Sequence, residues 1–146
     1  MVVDYRPINK LTLVDKYPIP RINEMLDQVG DIRYFSKLGL HYGVHQILVD
    51  PDHVERSAFL TKYVTYAYLL MPFGLCNAPA TFQNTMNYIF QKMRSFESAY
   101  IDDILVYTKT LVQHLMALRH VHDKLREERF IAGPDKCNWA QPEVEY

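Results

Sequence analysis

Cysteine, glycine and net charge are all scarce in this 146-residue chain. Cys76 and Cys137 are its only cysteines, and no Cys-x-x-Cys occurs. A disulfide framework is thereby excluded, and a reduced intracellular protein is expected. Six histidines are present, His120-Val121-His122 being the nearest pair. Without cysteines at ligand spacing they read as core or solvated side chains rather than a zinc site. The net charge is −1. This argues mildly against a surface that grips nucleic acid all over and does not exclude a local basic groove. No apolar run approaches a bilayer span, and the N-terminus lacks the basic and apolar regions of a signal peptide. Repeats, low-complexity tracts, Walker loops and dinucleotide fingerprints are absent.

What is there is a well-stocked core. Hydrophobic residues make up 49% and charged residues 23%, the balance of one globular domain. Val2 to Tyr5 reads as a strand, followed by an extended segment held by Pro7, Pro18 and Pro20. Ile22, Met25, Leu26 and Val29 recur at helical spacing before Gly30. Strands are expected at Tyr34 to Leu40, Arg56 to Thr61 and Tyr63 to Met71, with His41 to Val49 ambiguous between types. Asn77 is placed to cap a helix with Pro79 in its first turn, and Phe82, Met86, Ile89, Phe90 and Met93 form its apolar face. Ala99 to Tyr107 reads as strand, turn and strand. A second helix from about Leu111 presents Leu115, Leu118, Val121 or His122, and Leu125. Gly133-Pro134 follows, and a hairpin-like segment closes the chain from Lys136 to Tyr146. Helices and strands without strict alternation predict an α+β fold.

The chemistry concentrates at the turn. Tyr100-Ile101-Asp102-Asp103 sets two acids between apolar strands. Buried carboxylates are costly unless paired, and a divalent cation such as Mg²⁺ compensates them well. An isolated Asp-Asp pair is most often only a solvated turn; here it has company.

Tyr100-Ile101-Asp102-Asp103 resembles the YxDD motif of reverse transcriptases. Val3-Asp4-Tyr5-Arg6-Pro7-Ile8-Asn9-Lys10 resembles that family's VDYRxLN segment, and Tyr17-Pro18-Ile19-Pro20-Arg21-Ile22 its YPLPRI. Phe35-Ser36-Lys37-Leu38 resembles FSKLDL, and His45-Gln46-Ile47 the end of GYHQI. The run from Met71 through Pro72-Phe73-Gly74-Leu75-Cys76-Asn77-Ala78-Pro79-Ala80-Thr81-Phe82 to Gln83 resembles MPFGLxNAPATFQ. The segments occur in family order, and the combination resembles the Ty3/Gypsy type of LTR retrotransposon.

The resemblance implies a polymerase palm, an antiparallel sheet backed by helices, with truncated fingers and no thumb. Residues 1–146 would form a single partial domain, with fingers and palm segments at about 1–35 and 45–75 and palm from 76 to 146. It implies RNA-directed DNA synthesis with two Mg²⁺ ions, or Mn²⁺, held by three carboxylates. RNA or DNA template-primer and deoxynucleoside triphosphates would be the partners, with no membrane and with other retroelement chains as further candidates. Asp102 and Asp103 match metal-binding acids of the motif. Tyr100 matches the residue packing beside the primer end, Phe73 and Gly74 the segment lining the nucleotide pocket, and Arg6 a fingers arginine.

Departures from the pattern are local. Gly39 stands where the family has its first catalytic aspartate, and a backbone carbonyl cannot replace a bridging carboxylate. By analogy with other interdependent residues, that loss is worth roughly 10⁴–10⁶-fold in rate. Val44 replaces the tyrosine that stacks beneath the incoming sugar, and His41 and Tyr42 replace an arginine and a serine. Phe96-Glu97-Ser98-Ala99 stands where the family has an apolar run, so Glu97 conflicts with burial in a central strand. Upstream fingers strands and the thumb lie outside the sequence, leaving the first strand an unpaired edge. Two readings follow, a polymerase fragment with little or no activity and a remnant that binds nucleic acid or another protein.

Overall fold

The computed structural model describes residues 3–18 and 32–142. Its centre is an antiparallel sheet of four strands in the order β4-β5-β1-β6. β1 spans Tyr34–Leu40, β4 Glu97–Tyr100, β5 Asp103–Thr108 and β6 Ala132–Gln141. A small second sheet joins β2, Phe59–Leu60, to β3, Thr65–Tyr66. Helix α1 is one turn at Arg6–Asn9, α2 spans Ala78–Ile89 and α3 Leu111–Glu127. None of these helices is long and apolar enough to cross a membrane.

Alternation along the strands decides which face meets the helices. Leu38 and Leu40 of β1 share one core with Ile104 and Val106 of β5. Phe82, Met86 and Ile89 of α2 join that core, as do Ala117, Val121 and Leu125 of α3. The expected apolar face of α2 is therefore the buried one, with Met93 partly buried beyond its end. On α3 Val121 and Leu125 are buried as expected and Leu118 packs partly buried against the core, and only the first turn departs. His114, Ala117, Val121 and Leu125 are buried, whereas Leu115 is 61% exposed.

His114 reaches the core because its polar atoms are met. Ser36 Oγ lies 2.7 Å from Nε2, and Thr108 Oγ1 lies 3.1 Å from Nδ1. The Thr108 hydroxyl donates to the Thr110 carbonyl at 3.2 Å, so it accepts from Nδ1–H. Nε2 then accepts from Ser36, whose oxygen also takes the Ala140 N–H at 2.8 Å. Burial lowers the His114 pKa and favours this neutral ring.

Several expectations need correction. Val3 to Tyr5 is not a strand, because Asp4 accepts from the Arg6 N–H and Pro7 starts the α1 turn. The expected unpaired edge there is absent with it. The helix expected from Arg21 lies outside the described residues. The strands expected at Arg56 to Thr61 and Tyr63 to Met71 shrink to β2 and β3. Asp50 caps a 3-10 helix over Pro51–Ser57, which consumes the start of the first. Ser57 Oγ bonds both Tyr68 N, at 2.8 Å, and Tyr68 O, at 3.2 Å, diverting the second from a ladder. The ambiguous stretch holds another 3-10 helix, Gly43–Gln46.

Asn77 does not cap α2 with its side chain. Its Nδ2 donates to Leu13 O at 2.8 Å, and its Oδ1 accepts from Asp15 N at 2.9 Å. The C-terminal hairpin is one strand, β6, with Gly133-Pro134 inside it and residues 143–146 undescribed. Proline is tolerated there because β6 lies at the sheet's edge. β4 lies at the opposite edge rather than centrally, yet Glu97 is only 3% exposed.

Candidate active site at the acid turn

β4 and β5 meet at a two-residue connection, with Tyr100 paired to Asp103 across it. Ile101 takes a left-handed backbone, φ 49°. Tight hairpins need that conformation, and a β-branched residue adopts it only at a cost. Gln83, fully buried on α2, holds the turn. Its Nε2 donates to Ala99 O at 2.8 Å, and its Oε1 accepts from Ile101 N at 2.8 Å. Gln83 and Ile101 are missed by residue-level reasoning, though Gln83 closes the Met71 to Gln83 motif and could have been sought there.

Asp102 and Asp103 diverge from this turn. Asp102 Oδ1 is buried without a hydrogen-bond partner. It lies over Gly43, where an added Cβ would come within 2.6 Å of it and 2.9 Å of Phe82 Cζ. Gly43 is thus required by close approach, a third residue that spacing alone did not reveal. Burial raises the Asp102 pKa; the charges of Lys136 and His45 oppose this, and that of Asp103 adds to it. Asp103 Oδ2 lies 2.9 Å from Lys37 Nζ.

Gly39 pairs directly with Asp103 in the β1–β5 register. Leu40 N donates to Asp102 O at 2.8 Å, fixing the turn against β1. Position 39 therefore sits beside both acids. Among the described residues, no three His, Cys, Asp or Glu side chains converge as a metal would require.

The other expected site residues divide. His45 Nδ1 donates to Met71 O at 2.8 Å, and Phe73 stacks edge-on against His45 with centroids 4.5 Å apart. Phe73 is half exposed and packs on His45, whose charge acts on Asp102. Gly74 needs its glycine, with φ 99°, and its carbonyl accepts from Asn9 Nδ2 at 2.8 Å. Tyr100 is partly buried on β4. Val44, at 5% exposure, belongs to the core rather than to an open surface. Arg6 is spent locally, its Nη2 2.7 Å from Asp4 Oδ2.

The chain is similar to known proteins in sequence and in fold. The family model described as reverse transcriptase (RNA-dependent DNA polymerase) matches residues 1–146. The retrovirus-related Pol polyprotein from transposon 297 of Drosophila melanogaster is 40% identical over 147 residues, covering 100% of this chain. The chain spans 14% of that polyprotein. An RNA-directed DNA polymerase homolog of Oenothera berteroana is 36% identical over 127 residues, which are 84% of this chain and 89% of that protein. The foamy viral protease-reverse transcriptase in complex with an RNA/DNA hybrid superposes with a TM-score of 0.90 at 26% identity. That match covers 99% of this chain and 20% of the viral one. From the full-length family match and the sheet that carries the acid turn, the chain belongs to the reverse-transcriptase family.

Proposed function

We propose that this chain is a palm segment of a Ty3/Gypsy-type retrotransposon polymerase in which nucleotidyl transfer is weak or lost. The ancestral reaction is RNA-templated DNA synthesis from deoxynucleoside triphosphates. The carrying observation is Gly39 opposite Asp103, in register, at the position the resemblance gives to the first aspartate. Two Mg²⁺ ions need several carboxylate oxygens to bridge them. Asp102 and Asp103 supply two side chains, one of them engaged by Lys37. The donor set does not fit a two-metal centre, and no catalytic step is assigned through one. Residues at about 1–35 and 45–75 would contribute fingers and palm segments, and residues 76–146 the palm.

Primer extension on an RNA template with Mg²⁺ or Mn²⁺ tests this reading. The chain is expected to match an Asp102→Asn control. DNA synthesis clearly above that control would overturn it.

The aromatic surface favours a second reading, a nucleic-acid-binding remnant. Tyr63 and Tyr66 are 84% and 55% exposed, and Lys62 Nζ lies 5.5 Å from the Tyr63 ring centroid. Exposed rings beside a cation suit base stacking and phosphate contact. A gel-shift titration with single-stranded RNA should give binding that weakens with salt and is lost in a Tyr63→Ala/Tyr66→Ala variant. Equal binding by that variant would remove the reading.

A further inference from the structure

Two lysines of the same chain converge on the turn, one paired with Asp103 and one packed against position 39. Lys37 Nζ lies 2.9 Å from Asp103 Oδ2, with the two side chains 23% and 33% exposed. They are diagonal neighbours on one sheet face, since Lys37 pairs with Leu105 and Gly39 with Asp103. Lys136 arrives from β6. A Cβ built on Gly39 would lie 2.6 Å from Lys136 Cβ, 3.0 Å from its carbonyl oxygen and 3.3 Å from its Cδ. The lysine stem therefore fills the space a side chain at position 39 would need. Its ammonium lies 6.0 Å from the Tyr42 ring centroid and close enough for its charge to act on Asp102.

We infer that Lys37 has replaced a divalent cation as the counter-charge of Asp103 and that the Lys136 stem has taken the place of the third carboxylate, making the turn a lysine-blocked site that does not take up metal. The inference rests on the reading of those acids as members of an ancestral metal site. It gives Gly39 a structural consequence beyond a missing ligand. Aspartate cannot simply be restored there, because the Lys136 stem must first leave. Alanine at 136 would keep the Cβ at 2.6 Å, whereas glycine removes both side-chain contacts and leaves only the backbone carbonyl at 3.0 Å, which must give by a few tenths of an ångström.

Mn²⁺ binding, followed by the paramagnetic signal of the free ion, tests the inference on the whole chain. The proteins are the parent, Gly39→Asp, Lys136→Gly and the double variant, each checked for folding by circular dichroism. Parent and Gly39→Asp should bind Mn²⁺ no better than an Asp102→Asn control. The double variant should bind at least tenfold more tightly, and Asp102→Asn should abolish the gain. If Gly39→Asp alone binds as tightly as the double variant, Lys136 is not the obstacle and the inference fails. If the folded double variant shows no Asp102-dependent binding, the ancestral metal-site reading fails with it. A measurement on the parent needs no new fold. Millimolar Mn²⁺ should leave its melting temperature at the value of the Asp102→Asn control with Mn²⁺, relative to each protein without metal. A Mn²⁺-induced rise that depends on Asp102 would overturn the inference while supporting the metal-site reading.

Discussion

Replacing Glu97 by valine stabilises the chain by roughly 3–5 kcal/mol at pH 8, an expectation that follows from proton linkage and burial. Glu97 is 3% exposed and shares a strand face with Ala99, which packs in the core. Its Oε1 has no hydrogen-bond partner. Burial pushes the carboxyl up to about 8 from an ordinary value of 4.5, against the pull of the Arg94 charge. Between those values the folded chain holds a proton that the unfolded chain releases. The folded state is thus favoured at low pH, and stability falls as pH rises toward 8, by about 1.4 kcal/mol per unit.

His114 works the other way. Its pKa is lowered by burial from 6.5, so its contribution is present above 6.5 and is lost as pH falls through its folded value. The two oppose each other from 6.5 down to the folded value of His114, and Glu97 acts unopposed by His114 from 6.5 to 8. Urea melts should show a fall of about 2 kcal/mol across that upper window. The Glu97→Val variant should lose most of it, while gaining from a β-branched residue in a strand. An unchanged slope in the variant would place its source elsewhere.

Gln83→Ala should cost about 2–4 kcal/mol, since buried amides and carbonyls left unpaired cost about 1–3 kcal/mol each. Gln83 is fully buried and binds Ala99 O and Ile101 N, flanking Tyr100 where β4 enters the hairpin bend. It also donates to Asn87 Oδ1 at 3.0 Å. The strained Ile101 conformation depends on such support. The effect should show in urea melts and as faster hydrogen exchange at the Ile101 amide. Unchanged exchange there would mean that Gln83 does not hold the turn.

Much of the fold was legible because its signals were local and periodic. β1, α2 and the strand-turn-strand unit sit where alternation and helical spacing put them. On α3 only the first position of the stripe was misread, Leu115 for His114, because His114 passes for polar until Ser36 and Thr108 are seen to satisfy it. Asn77 fits a cap on local grounds, but its partners Leu13 and Asp15 lie 64 and 62 positions away. The long strands expected at 56–71 had the right composition and lost to Ser57, whose two bonds to Tyr68 no propensity scale contains. At the site, motif order placed Asp102, Asp103 and Gly39 together, and the β1–β5 register agrees. Lys136 could not have been placed there, because nothing in spacing says which residue of β6 passes over position 39.

The strand order also governs when the sheet can assemble. Ser36 reaches His114 78 positions later and the Ala140 amide 104 positions later. β1 is thus made early and paired late on both sides. Closing such wide loops before any ladder forms makes folding slow. During synthesis β1 must wait as an apolar strand with two open edges, exposed to wrong partners until β5 and then β6 have emerged.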